Sequence, residues 1–440
     1  MTAFPNTADT LITNARILTM DEGFSEHASG SLAVADGKIA ALGPMTDAAG
    51  TRAAEVIDAK GGLLLPGFVN SHCHAAMTLF RGIADDRPLD GFLKTVWAAE
   101  AAHVTPETVE AGATLGFAEM ALGGVTHVVD MYFHPAATVR AAAAVGLGLT
   151  TGPVFIGFDG IDRLPWPDRL RFAEDLVAEY RGAEGVDLML MPHSAYTLDA
   201  GKLREVRAMS DRLGVPVHIH AAEALSEMRL VADQHGTTPV RALDAAGLIA
   251  PGLLIAHAVH LDDDEIALLA ERGAAVSHCP LSNAKLASGT ARLKALRAAG
   301  VTLSLGTDGA SSGNDLDMWK AMRQAAFLQI LATGEPEVLP AREIVAMATR
   351  GGAAAAGQGA RKGMLAPGMD ADLIVIDTSR PHLVPLYDPY SALVYAAGRE
   401  DVAHVLARGR RVVSDHRLTA PIGDAIAKVQ EVAARIRAGG

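Results

Sequence analysis

The apolar positions of the chain fall into two rhythms. Residues 11–20 (LITNARILTM), 31–34 and 38–42 are short apolar runs separated by turn residues, and Asp36-Gly37 between the last two is the dipeptide of a tight hairpin. Residues 371–376 (ADLIVI) and 402–413 (VAHVLARGRRVV) repeat this at the far end, the second run broken at Gly409. Both ends therefore read as parts of one small β domain. Between them, apolar runs alternate with helical patterns. The runs at 63–70, 125–131, 149–156, 187–191, 216–219, 253–256, 274–277 and 302–306 lack strict alternation, as parallel strands covered on both faces do. A helix is predicted over 106–122, with Thr105 as N-cap, Pro106 at the first position and Gly123-Gly124 as the stop.

Eight strands alternating with helices predict an α/β protein built on a TIM (β/α)8 barrel. A doubly wound sheet is the alternative, but no Gly-x-Gly-x-x-Gly follows the first strand. The predicted division is 1–62 for the N-terminal part of a small β-sandwich domain, 63–365 for the barrel, and 366–440 for the C-terminal part of the sandwich plus a terminal helix.

Composition removes several classes of function. Half of the 440 residues are hydrophobic, which excludes a disordered chain. With 38 Lys+Arg against 51 Asp+Glu the net charge is −13, so no basic face for a nucleic-acid backbone is expected. No basic-then-apolar leader opens the chain, and no stretch approaches the ~20 apolar residues of a membrane span. The two cysteines, Cys73 and Cys279, cannot form a disulfide framework, which fits a reducing cytoplasm. The expected partner is a small-molecule substrate.

The histidines and aspartates cluster at the C-terminal ends of the predicted strands, where barrel enzymes carry their sites. These ends read Ser71-His72-Cys73-His74, Pro192-His193-Ser194, His218-Ile219-His220-Ala221-Ala222-Glu223, His257-Ala258-Val259-His260 and Thr307-Asp308-Gly309. In an extended chain His72 and His74 share a face. His220 and Asp308 complete three imidazoles and one carboxylate, a set suited to one divalent ion, Zn²⁺ with Fe²⁺ as the other candidate. No lysine occurs between Lys94 and Lys202, so the fourth strand has no bridging lysine and a mononuclear centre is preferred. His218, one layer deeper, reads as a hydrogen-bonded core residue and His260 as structural; His278 lines or supports the pocket. His103, His127 and His134 have no partner pattern. Glu223 has two readings by position: a proton donor or acceptor beside a cationic site, or a surface residue opening the next helix.

The stretches PGFVNSHCHAAMTLFRGIADD, MPHSAYT, HIHAAE, AHAVHL, VSHCPLSNAKLASG, LGTDGASSGNDLDM and GMLAPGMDADLIVID resemble the amidohydrolase superfamily over nearly the whole chain. Within it the sequence is most similar to the 5′-methylthioadenosine/S-adenosylhomocysteine deaminases. The resemblance implies that His72, His74, His220 and Asp308 hold the metal, that Glu223 is the acid–base glutamate, and that His257 handles the attacking water. It implies that His193 contacts a purine ring and that Glu100 holds ribose hydroxyls. Arg163 is a candidate for gripping the rest of a nucleoside, although residues 158–167 (FDGIDRLPWP) depart from the family pattern, as does Phe92 where the family usually has Trp. Related enzymes are commonly homo-oligomers.

The implied activity is hydrolytic deamination of an adenine nucleoside or thionucleoside: 5′-methylthioadenosine, S-adenosylhomocysteine or adenosine. The alternative is an aminohydrolase on a free aminated ring, such as guanine, a pterin or an s-triazine, including chlorohydrolase-type activity. Retention of both Glu223 and His257 favours deamination, since an amine must be protonated to leave and chloride need not be. A non-catalytic relative serving as a scaffold would normally lack ligands, and none is lacking here.

Overall fold

Two apolar cores meet along a shared strand. The computed structural model describes residues 3–87 and 89–439. In the strand Leu63–Pro66, Leu64 packs into a core with Ile12, Ile17, Leu32 and Leu406, whereas Leu63 and Leu65 face a larger core. The neighbouring strand Leu373–Ile376 does the same, with Leu373 and Val375 on one side and Ile374 and Ile376 on the other. The period-two alternation of side chains places one residue set in each core.

These two strands lie at the centre of a nine-stranded mixed sheet drawn from both chain ends. From Thr7–Leu18 it runs outward through Glu26–Ala35 to Lys38–Pro44. On the other side it runs through Leu63–Pro66 and Leu373–Ile376 to Val402–Ala407, Arg410–Ser414 and Arg417–Leu418. The predicted hairpin is present: Ala35 pairs with Lys38, and Asp36 and Gly37 take φ of 51° and 72°, the left-handed pair that matches strand twist.

The central strands are parallel. Val186–Leu188, Gly148–Thr151, Val125–Asp130, Phe68–His74 and Asp308–Gly309 are neighbours in one sheet; His218–Ala221, Leu254–His257, Ala275–His278 and Thr302–Leu305 are neighbours in another. The short pieces Val154–Phe155 and Met191–Pro192 pair with each other and continue strands just ended. Parallel bridges Leu190–Val217 and Ser194–His220 join the fourth strand to the fifth.

Two glycines show why the apolar runs break where they do. The run at 63–70 divides at Gly67, where a Cβ would lie 2.2 Å from Thr126 Cγ2; the part before it joins the terminal sheet and the part from Phe68 onward joins the central strands. The third strand breaks at Gly152-Pro153. A Cβ on Gly152 would lie 1.7 Å from the Met189 carbonyl oxygen, and proline has no N–H to donate to a ladder.

Helices follow the central strands. Helix Pro106–Leu122 begins as predicted, with Thr105 Oγ1 accepting from the Thr108 amide at 3.2 Å. The terminal helix Gly423–Gly439 sends Val432 into a small cluster with Leu79 and Phe80, under the loop that follows His74. Among the described residues no helix is long and apolar enough to cross a membrane.

Candidate functional site

The strand ends converge as the sequence pattern requires. His72 and His74 leave the first central strand on one face, and His220 and Asp308 arrive from the fifth and eighth. Nε2 of His74 and Nε2 of His220 are 3.3 Å apart, and Asp308 Oδ1 is 3.2 Å from His74 Nε2 and 3.5 Å from His72 Nε2. Beneath them Ser71 Oγ meets Ser277 Oγ at 2.6 Å and donates to Ser304 Oγ at 2.7 Å, a buried polar layer closing the floor.

The outer hydrogen bonds fix which nitrogen of each ring carries its proton. His74 Nδ1 lies 2.6 Å from the Met131 carbonyl oxygen and His220 Nδ1 lies 2.8 Å from that of His193. A carbonyl only accepts, so both Nδ1 atoms donate. The same logic passes through two rings for His72: His218 Nδ1 donates to the Leu254 carbonyl at 3.0 Å, leaving its Nε2 to accept from His72 Nδ1 at 2.8 Å. His72 Nε2 is buried with no hydrogen-bond partner. Three imidazole Nε2 atoms thus face one point, together with a carboxylate. Such a set is repulsive by itself and is satisfied by a cation, so the donors fit a divalent metal ion with outer partners of the usual kind.

Burial tends to raise the Asp308 carboxyl, but the His72 and His74 rings beside it outweigh it and hold it well below the usual range. Ser312 Oγ also donates to Asp308 Oδ2 at 2.8 Å. Burial works against the His74 cation, yet Asp308 beside it carries the ring up to about 9; the other ligand rings are driven down, His220 and His72 both by burial.

Glu223 is a buried residue, not a surface one, with its side chain turned toward His257. Glu223 Oε2 lies 3.8 Å from His257 Nε2. Asn283 Oδ1 accepts from His257 Nδ1 at 2.9 Å, which leaves the His257 Nε2 lone pair toward Glu223. Burial raises the Glu223 carboxyl above its ordinary value. The backbone here is strained: Ala222, His257, Ala258 and Asp308 have φ of 55°, 73°, 49° and 61°, a region that non-glycine residues rarely occupy.

A cavity of about 730 Å³ opens from this cluster. Phe92, Trp97, Glu100, Tyr132 and His193 also line it. Glu100 is 2% exposed and accepts from Tyr132 Oη at 2.5 Å. Burial raises its carboxyl to about 7, the Tyr132 hydrogen bond pulling the other way. Burial also lowers His193 to about 3, so this ring is neutral. Arg163 is exposed and stands apart, lining an adjoining cavity that shares Trp97, Glu100 and His193 with the first.

The remaining histidines take structural places. His218 is the buried relay just described; His260 Nε2 donates to the Ser288 carbonyl at 2.8 Å, and His127 meets Thr150 Oγ1 at 2.8 Å. His278 is buried and does not line the cavity. Both cysteines are buried and free. Sequence reasoning missed Trp97, Tyr132 and Asn283. Asn283 lies in the VSHCPLSNAK motif, and Tyr132 stands just beyond the second strand, so position at a strand end was the available signal.

This fold and site define a class. The Amidohydrolase family model matches residues 63–412, and the chain belongs to that family. It is 40% identical over 433 residues to the 5-methylthioadenosine/S-adenosylhomocysteine deaminase of Syntrophobacter fumaroxidans, covering 98% of this chain and 99% of that protein. It is 40% identical to the 5′-deoxyadenosine deaminase of Methanosarcina mazei, covering 93% and 94%. Among solved structures, an adenosine deaminase from Xanthomonas campestris with bound zinc superposes with a TM-score of 0.96 at 35% identity, covering 99% of this chain and 100% of that one.

Proposed function

We propose that the protein is a metal-dependent hydrolytic deaminase that converts an adenine nucleoside or thionucleoside to its hypoxanthine form and ammonia. One observation carries this: a single cavity is lined by His74, His220 and Asp308 of the ligand cluster, by the Glu223–His257 pair and by the buried Glu100 carboxylate. The relatives named above act on 5-methylthioadenosine, S-adenosylhomocysteine or 5′-deoxyadenosine by their names, which agrees with this reading. The central parallel strands fit a closed eight-stranded barrel, residues 63–365. The strands of 1–62 and 366–440 fit a separate β-sandwich domain, with Leu63–Pro66 as the joining strand.

His72, His74, His220 and Asp308 would hold one divalent ion, with zinc favoured by the zinc in the similar adenosine deaminase. When bound, such an ion supplies Lewis acidity that brings the pKa of water toward neutrality. The chain's own residues do the rest. His193 and Trp97 bound the purine ring, and Glu100 accepts hydrogen bonds from two adjacent ribose hydroxyls. Glu223, whose carboxyl burial raises, gives its proton to the ring nitrogen beside the carbon that bears the amine. His257 Nε2 takes the proton of the attacking water and passes it to the amine, which leaves as ammonia while the new hydroxyl returns its proton to Glu223 and becomes the product carbonyl. Arg163 is placed to meet substituents that extend from the nucleoside into the adjoining cavity. The buried free cysteines fit a cytoplasmic protein, and the exposed Phe327, Leu331 and Tyr395 give apolar surface for a homo-oligomer.

The test is ammonia release from zinc-loaded protein on adenosine, 5′-methylthioadenosine, S-adenosylhomocysteine, guanine and an aminotriazine. Release from the ribosylated adenines alone is expected. Release from the free rings alone would overturn the nucleoside reading.

A further inference from the structure

Glu227 stands four residues beyond Glu223, in the first turn of helix Leu225–His235. A glutamate at this position commonly reaches back to the amide of the N-cap residue when the cap is Ser or Thr. Here the N-cap is Ala224, which offers no side-chain acceptor, and the carboxylate reaches further. Oε1 accepts from the Ala222 amide at 3.1 Å and Oε2 accepts from the Glu223 amide at 2.6 Å. Glu227 is 2% exposed and shows no ion pair with any described residue, so both carboxylate oxygens are committed to the backbone that carries Glu223.

That backbone is also tied to the sixth strand. The Ala222 carbonyl accepts from the amides of Val259 and His260, both at 2.9 Å, and the Ala221 carbonyl accepts from the Ala258 amide at 3.1 Å. Ala222, His257 and Ala258 all sit at positive φ. Alanine in that conformation is held only by its surroundings. The two hydrogen bonds to Glu227 hold the amide side of this left-handed segment, as the sixth strand holds its carbonyl side.

We infer that Glu227 is a positioning residue for Glu223: its two-pronged hold on the Ala222 and Glu223 amides sets the Glu223–His257 geometry. This rests on the acid–base reading of Glu223 proposed above. Glutamine at 227 keeps the shape but turns an NH₂ toward one of the two amide donors, so one hydrogen bond is lost.

The test uses the zinc-loaded full chain with 5′-methylthioadenosine. Glu227→Gln is expected to lower kcat about 10–100-fold while KM stays within about twofold, because a small misplacement of a reacting group costs rate rather than binding. The same substitution in a Glu223→Gln background is expected to cost nothing more, since a residue acting only through Glu223 has nothing left to act on. Hydrogen exchange of the peptide spanning 221–224 is expected to speed up in Glu227→Gln. An equal loss in both backgrounds, or unchanged kcat with unchanged exchange, would overturn the inference. Full activity of Glu223→Gln alone would instead fail the acid–base reading and the rate effect assigned to Glu227, and the exchange measurement would still decide the backbone anchor.

Discussion

Glu223 and His257 face each other across 3.8 Å at the ends of adjacent strands. Asn283 Oδ1 accepts a hydrogen bond from His257 Nδ1, and burial raises the Glu223 carboxyl above its ordinary value. Both side chains line the same cavity.

Replacing the acid by its amide tests this directly. Glu223→Gln should lower turnover by about 10²–10⁴-fold, the usual worth of a general acid–base group, while metal content is unchanged. Ammonia release and metal analysis on one preparation check it. Normal turnover at full metal occupancy would remove Glu223 from the mechanism.

The base depends on its tautomer. Asn283→Leu leaves the His257 Nδ1–H buried without an acceptor and frees the ring to adopt the other tautomer. A destabilisation of about 1–3 kcal/mol is expected from the unpaired group, with kcat falling more than KM changes. Urea unfolding beside steady-state kinetics measures both; wild-type kcat would show that the Asn283 contact has no part in orienting the ring.

Zinc should stabilise the fold. At free metal about 100-fold above its Kd the gain is about 2.7 kcal/mol, so adding zinc should raise Tm and chelation should lower it. His220→Ala removes one donor of the cluster and should abolish most of this response in a thermal melt. An equal zinc response in His220→Ala would place the ion elsewhere.

Substrate binding should follow the ionisation of Glu100. Its pKa is raised to about 7, so the acceptor carboxylate is lost as pH falls through 7 and is complete above it. KM for a ribosylated adenine should therefore rise as pH is lowered from 8 to 6. The Tyr132 hydrogen bond lowers this pKa, so Tyr132→Phe should move the transition to higher pH. A KM that is flat with pH in wild type, or a transition that moves down in Tyr132→Phe, would contradict this role.

The break in the third strand gives a prediction about stability alone. Gly152→Ala drives a methyl group to 1.7 Å from the Met189 carbonyl oxygen, and the backbone must shift. A loss of about 1–3 kcal/mol is expected, as for other overpacked sites. Gly50, with no atom within 4 Å of a built Cβ, is the control and should tolerate alanine. Equal denaturation midpoints for the two variants would refute the contact.

The strand ends and the ligand-type residues they carry are legible in the chain's own pattern. The two-residue spacing of His72 and His74 places both rings on one face of any extended segment, whatever the fold. The apolar runs without alternation called for covered parallel strands, and the Asp36-Gly37 and Thr105-Pro106 signals fixed a hairpin and a helix start through local backbone preferences alone. Tertiary structure decided the rest. The run at 63–70 is uniform in sequence, and only the approach of Thr126 to Gly67 shows that its two halves serve different sheets. Local position left open whether Glu223 lies on the surface, and its burial beside His257 excludes that placement. The protonation states of His72, His74 and His220 rest on carbonyls at 131, 193 and 254, which no spacing in the chain reveals. Residue type and local periodicity are written along one dimension, whereas burial, tautomer and the pairing of Glu100 with Tyr132 arise only when distant segments share a low-dielectric interior.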